Sequence, residues 1–533
     1  MNSSIQLKRR VAIPASLCRG VFALYCFALC SALQAVTPAP DGGYPGGNTA
    51  EGQGALQSLT SGIHNTANGS QALYTNTTGH DNLANGFQAL FSNTTGSLNT
   101  ANGSQALYKN TTGNYNVATG FRTLYSNASG GDNTANGFEA LSLNTTGEDN
   151  TATGFKALYT NATGDYNTAI GYQALYSNTT GDYNTANGDG ALSNNTTGND
   201  NTADGAYALI HNTTGSYNIA VGSGALDRNT TGHYNVATGF EALFSNTTGR
   251  DNVATGFQAL NKNTTGTSNV ATGFRTLYSN TIGGDNTANG FEALAFNTAG
   301  QSNMANGFRA LYSNTTGSQN IALGDFAGSN LTTGNNNIDI GNAAIAGESS
   351  TIRIGTQGSQ TATFIAGIRG ATTGNADAIP VVIDSVGQLG TMSSSRRFKK
   401  EIKPMDQTSE AILALKPVTF QYKSDTKGTA QFGLIAEEVA QVDPELVIRD
   451  AEGEIYSVRY EAVNAMLLNE FLKEHRTVQE LKSIVAKQEA IIAQQQKGME
   501  AVIAHLKEQD SKIQNVNDQL ELSKAALQLA GND

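Results

Sequence analysis

Cysteine occurs at only three positions, Cys18, Cys26 and Cys30, all close to the N-terminus. If that segment is removed, the mature chain has none, which excludes disulfide staples, thiol catalysis and cysteine-based metal sites. Tryptophan is absent and the six histidines are scattered, so no residue cluster calls for a metal or a cofactor. Basic residues are outnumbered 32 to 44 by acidic ones. An acidic chain of this kind repels phosphate backbones, which excludes a nucleic-acid partner. Charge is also sparse over most of the length: residues 1–393 hold 36 of the 76 charged side chains and the last 140 hold 40. That jump in density marks a domain boundary near residue 393.

The chain begins with Lys8, Arg9 and Arg10, then an apolar run from Gly20 to Leu33 and a small residue, Ala35. This is the layout of a secretory signal over residues 1–35, followed by a linker over 36–47. The run is short for a bilayer span, so no stable membrane span is expected after its removal. Loss of its four basic residues takes the formal charge from −12 to −16. The expected product is an acidic protein, secreted or held at the cell surface.

A 17-residue unit then recurs eighteen times without insertion over residues 48–343, the last copy partial. Its consensus is N-T-A-x-G-x-x-A-L-Y-x-N-T-T-G-x-x. Asn occupies the position four before the first glycine in every copy, from Asn48 to Asn337. A strict short period means that units stack on one another as a solenoid. Two glycines per unit argue against helices, so the reading is two short extended segments and two turns per coil. In one copy these are Asn65–Asn68 and Ala72–Tyr74, with Gly79 supplying a positive φ to the Asn76–Gly79 turn. Ala67 and Leu73 and their equivalents point inward. The recurrent Asn forms an amide ladder along the stack or serves turn chemistry within each coil. Asn-Thr-Thr matches glycosylation sequons, but its fixed phase reads as a turn.

The aromatic beside the recurrent Leu (Tyr74, Phe91, Tyr108, Tyr125, Phe244) forms a stripe. It packs between coils or chains, or else binds carbohydrate. Regular Thr rows are compatible with ice binding, most of all in the Asn-Thr-Thr turn. The N-x-A-x-G-x-x-A phrase resembles the head repeats of trimeric bacterial adhesins, which implies a parallel β-roll and a three-chain fibre. A surface glycan or receptor stays open as its partner.

Residues 344–393 break the period but keep β character at Ile352–Gly355, Thr363–Gly367 and Pro380–Asp384. Next comes Ser393-Ser394-Ser395-Arg396-Arg397-Phe398-Lys399-Lys400-Glu401-Ile402. This run resembles the signature S-D-x-R-x-K-x-x-I of the self-cleaving intramolecular chaperone domain of phage tail spikes, peptidase family S74. Two registers place Ser five residues before Lys. Only Ser394 with Lys399 also sets Arg397 two before the lysine and Ile402 three after it. Ser395 stands where the family has Asp. The resemblance continues through Leu415–Phe420, Gly433–Val439, Pro444–Val447 and Val458–Val463, so the domain is assigned to 394–475.

The resemblance implies scission of the Ser393–Ser394 bond, with Ser394 as nucleophile and Lys399 as base. A lysine accepts the hydroxyl proton only when neutral, which burial or nearby positive charge must bring about. Each chain would cut once, in cis. The family also implies a homotrimer, and a phage-derived tail fibre is a further reading.

Val478, Val485, Ile492, Met499, Leu506, Ile513, Leu520 and Leu527 are spaced by seven, with Leu481, Gln488, Gln495, Val502, Gln509 and Val516 three residues on. That is a coiled-coil seam over 476–527. The expected fold is therefore mainly β: a β-solenoid fibre, a small α+β chaperone domain and a coiled coil.

Overall fold

The computed structural model describes residues 41–368, 374, 377–450 and 452–529, so the leader assigned to residues 1–35 and the start of the linker lie outside them. The chain divides into two compact units, one ending at Thr363 and the other beginning at Phe364.

The first unit is a parallel β-solenoid. Strand β1 (Asp41–Tyr44) turns back antiparallel onto β2 (Asn48–Glu51) and opens the stack. From β2 to β19 (Ile338–Ile340), each strand pairs in parallel with the next in a 17-residue step, as in Thr66↔Leu83 and Ala67↔Ala84. The ladder closes within one chain, so strand hydrogen bonding needs no second copy. A final strand, β20 (Ile352–Ile354), joins β19 after a step of 14 residues, Ile338↔Ile352. The solenoid thus runs beyond residue 343 and takes in the first stretch of the connector.

Each coil contains one strand, not two. Ala72-Leu73-Tyr74 is a run of turns, because Gln71 (φ 58°) and Leu73 (φ 50°) are both left-handed. Asp81, just before the next Asn, makes a third such residue in the coil (φ 53°). A non-glycine residue held there costs about 1–3 kcal/mol. The bend at Leu73 buries its side chain completely, worth about 1.5–3 kcal/mol, and keeps its N–H bonded to the Ala89 carbonyl at 3.0 Å. The two terms are of the same size, so the coil tolerates a conformation that leucine alone avoids. Ala67, Ala72 and Leu73 repeat as a continuous buried core along the lumen.

The two glycines act differently. Gly69 has a φ of 139°, and a Cβ there would stand 2.4 Å from the Gly86 carbonyl oxygen. Gly79 is not left-handed, contrary to the turn reading. It is glycine because a Cβ would meet the Gly96 carbonyl at 2.3 Å and Asn76 Oδ1 at 2.4 Å. Close approach of successive coils, not turn geometry, fixes it.

Two buried asparagine ladders flank this core. In the first, Asn65 Nδ2 donates to Asn48 Oδ1 at 3.0 Å and to the Gly79 carbonyl at 2.9 Å. The second joins the Asn-Thr-Thr turns: Asn93 Nδ2 donates to Asn76 Oδ1 at 2.7 Å and to the Gly96 carbonyl at 2.8 Å. Ladder and turn chemistry are therefore one device, because a carboxamide offers two donors and an acceptor. The second ladder ends where Leu331 takes the place of Asn, leaving Asn314 Oδ1 without a partner among the described residues.

The second unit begins with a hairpin, β21 (Val381–Ile383) and β22 (Leu389–Thr391). Thr363–Gly367 is not a strand. A 3-10 segment Asp406–Ala414 follows, then the antiparallel pair β23 (Val418–Phe420) and β24 (Gln431–Gly433). Helix α1 (Ala436–Val442) precedes a second antiparallel pair, β25 (Val447–Arg449) and β26 (Ile455–Val458). Helix α2 runs unbroken from Tyr460 to Leu529, across the boundary drawn at 475. A small core of Val439, Leu446, Val447, Val458 and Met466 binds these pieces together. Among the described residues, no helix is long and apolar enough to cross a membrane.

Candidate functional site

The segment Ser393–Lys400 is held by its own backbone. Ser395 is extended (φ −64°, ψ 138°), a 3-10 turn spans Arg396–Phe398, and Lys399 is extended again (φ −118°, ψ 141°). The Phe398 N–H donates to the Ser395 carbonyl at 3.0 Å and the Lys399 N–H to the Arg396 carbonyl at 3.1 Å. The turn thus lies between Ser394 and Lys399. Both side chains are exposed, as are those of Ser393, Arg397 and Ile402. The Arg397 guanidinium lies 4.6 Å from the centre of the Phe398 ring. Among the described residues no hydrogen bond joins the Ser394 hydroxyl to the Lys399 amine, and the single chain does not bury either group.

The unit's polar centre lies elsewhere and was not anticipated from sequence. Ser409 is fully buried within the 3-10 segment and donates to the Glu470 carboxylate on helix α2. Asn469 Nδ2 donates to Ser409 Oγ at 2.7 Å, and Lys473 Nζ donates to Glu470 at 2.7 Å and to Glu410 at 3.3 Å. The hydrogen bond from Lys473, followed by that from Ser409, holds the Glu470 carboxyl below the usual range. In return, the bond to Glu470 raises Lys473 above an ordinary lysine. A lysine kept charged in this way cannot serve as a base, so Ser409 and Lys473 form a structural clamp, not a second dyad. Its signal in the sequence is slight: a Glu/Lys pair three apart on a helix, and one serine in an apolar segment.

The surface of this unit is unusually apolar. Phe432 on β24 is 82% exposed and Leu413 is 73% exposed, against five buried apolar residues in the core among the described residues. The helix seam is likewise open, with Ile492, Met499, Leu506 and Ile513 all exposed in the single chain. Exposed large apolar side chains in this number suit an interaction surface.

The chain thus comprises a long parallel solenoid, a small mixed unit and a 70-residue helix. Residues 394–448 match the family model of the chaperone of endosialidase, peptidase S74, and the match begins at Ser394 itself. The chain therefore carries a peptidase S74 chaperone domain near its C-terminus, preceded by the solenoid. No curated protein matches the chain.

Proposed function

We propose that the chain is an exported, three-chain surface fibre whose C-terminal S74 domain is an intramolecular chaperone that releases itself by self-cleavage. The observation that carries this reading is the family match, which opens on the serine assigned as nucleophile. The exposed apolar surface of the second unit and the open helix seam support assembly with further copies. Each solenoid satisfies its strand hydrogen bonds alone, so the chaperone's task is to align finished or finishing rolls side by side. Eighteen near-identical coils could otherwise dock one unit out of step at little local cost.

In the cleavage step, Lys399 takes the Ser394 hydroxyl proton, and Ser394 Oγ attacks the Ser393 carbonyl carbon. The C–N bond breaks as the Ser394 nitrogen gains a proton, and water then hydrolyses the ester so formed. Both groups are exposed in one chain, so the surroundings that complete the site are supplied by neighbouring copies in the assembly. Assembly would thereby gate the protease. Once the domain is gone, the fibre is retained by the height of its unfolding barrier.

The test is the mass of the native assembly of the Lys399→Ala chain, which should stay uncleaved. Three full-length copies support the reading, and a monomer overturns it.

A second reading makes the shaft a binding module for ice or sugar. The first Thr of each turn is unsuited to it, since Thr77 Oγ1 is spent on the Thr94 carbonyl at 2.9 Å. The second Thr, as at Thr78 and Thr95, is exposed coil after coil and favours this reading. The aromatic stripe does not, because Tyr74, Phe91 and Tyr108 stack on one another at 5.1 Å and so cover their own faces. Recrystallisation of ice in the presence of the chain tests the Thr row.

A further inference from the structure

The outer face of the solenoid strands changes character partway along the chain. In each strand from Thr66 to Ile340, the middle residue enters the lumen and the two flanking residues face outward. From Thr66 to Asp204, three of these eighteen outward positions are aliphatic or Met, whereas from Ile219 to Ile340 ten of sixteen are. The second stretch includes Ile219, Val270, Met304, Ile321 and Leu323, each between 39% and 51% exposed. None of its sixteen outward positions is charged. Two residues beyond the strand, Phe240, Phe257, Phe274, Phe291 and Phe308 form an exposed ladder, the stacked rings 4.9–5.3 Å apart. Phe121, Phe138, Phe155 and Tyr172 stack in the same position of the first stretch, so the strand residues, not the rings, distinguish the two.

We propose that this face, residues 219–340, is where copies of the chain lie side by side in the fibre, while the strand face of residues 66–204 stays free. The proposal rests on the homo-oligomeric reading above and names the surface it uses. Three arguments select a second copy as occupant. First, the protein is acidic overall, so two copies approach most easily where the face is both uncharged and apolar, and the face of residues 66–204, with one charge at Asp204, is uncharged over most of its length but polar. Second, the face is apolar in the half of the solenoid that is followed in the chain by the S74 domain and the seam helix. Copies joined through those parts bring this half together at high effective concentration.

Third, its area is too small to hold an untethered partner. Eight strands about 4.8 Å apart, with a face about five residues wide at ~3.3 Å each, present roughly 600 Å² per copy. A free-standing interface buries about 800 Å² per partner. The face therefore suits copies already joined elsewhere. The stacked Phe edges and branched side chains would be covered by their equivalents, and in-register packing would match each coil with its own kind.

The test is thiol crosslinking of the full chain, with Cys18, Cys26 and Cys30 replaced by Ser and Lys399→Ala retained to keep the assembly whole. Val270→Cys and Thr134→Cys occupy the same outward strand position in the two halves, and Ile492→Cys in the helix seam reports assembly itself. A short bifunctional maleimide should join chains through Val270→Cys and Ile492→Cys and leave Thr134→Cys single. Crosslinking at Ile492→Cys without Val270→Cys overturns the proposal and leaves the assembly reading intact. Equal crosslinking at Val270→Cys and Thr134→Cys overturns the division of the shaft. No crosslinking at any of the three overturns both readings.

Discussion

Asn178 donates through one amide to Oδ1 of Asn161 in the preceding coil, at 2.8 Å, while the same nitrogen reaches the Gly181 carbonyl of its own turn, also at 2.8 Å. Both groups are fully buried. The bond along the stack and the bond that shapes the turn thus fall on one side chain. Asn178→Leu removes both and strands the Asn161 acceptor. An unsatisfied buried polar group costs about 1–3 kcal/mol, so the local opening energy of the adjoining coils should fall by that amount. Hydrogen exchange should quicken at residues 161–198 and leave distant coils unchanged.

Gly181→Ala should be harsher than its size suggests. The new Cβ would stand 2.4 Å from the Gly198 carbonyl oxygen and 2.5 Å from Asn178 Oδ1. The first is backbone and has no rotamer to yield, so the coils must separate. Limited proteolysis should cut near residue 181 in this variant and not in wild type.

At the far end of the lumen, two departures from the repeat meet. Gly328 replaces the core leucine and Asp339 replaces the core alanine; a Cβ on Gly328 would lie 3.3 Å from Asp339 Oδ2. Neither carboxylate oxygen has a hydrogen-bond partner among the described residues. Burial, then the nearby Glu348 charge, pushes Asp339 up to about 6, with Arg353 opposing. An acid whose native value lies above its ordinary 3.8 binds more protons when folded, so stability falls as pH rises between those values and levels off above. Asp339→Ala should remove that slope and stabilise the last coils at neutral pH. Hydrogen exchange of residues 321–354 against pH measures it.

The Ser409 clamp has the opposite sign. Glu470 is depressed, so its contribution is complete above the ordinary glutamate value of 4.5 and is lost as pH falls through the lowered native value. Glu470→Gln should free the Asp406–Ala414 segment from helix α2 at neutral pH. The readout is proteolysis at residues 406–414, which wild type should show only in acid.

Periodicity made the solenoid legible because Asn48 to Asn337, the lumen alanines and the core leucines all recur in one phase. The single strand per coil was not legible. Ala72-Leu73-Tyr74 is too short for a period of two to differ from a run of turns, and the bend rests on two non-glycine left-handed residues. The second asparagine ladder was hidden because Asn-Thr-Thr-Gly is also an ordinary turn sequence. The phenylalanine ladder starting at Phe240 is separated from the Phe121–Tyr172 stack in the same coil position by Asp189, Ala206 and Ser223, and that interruption masked it. Motif order located the S74 domain, but the relation of Ser394 to Lys399 depends on surroundings that one chain's sequence does not encode.

The intact mass of the expressed chain, measured beside a Ser394→Ala variant, tests the central claim most directly. The account predicts that wild type yields one fragment ending at Ser393 and another starting at Ser394, while the variant remains whole. Two full-length chains would contradict it, and so would cleavage that persists in Ser394→Ala.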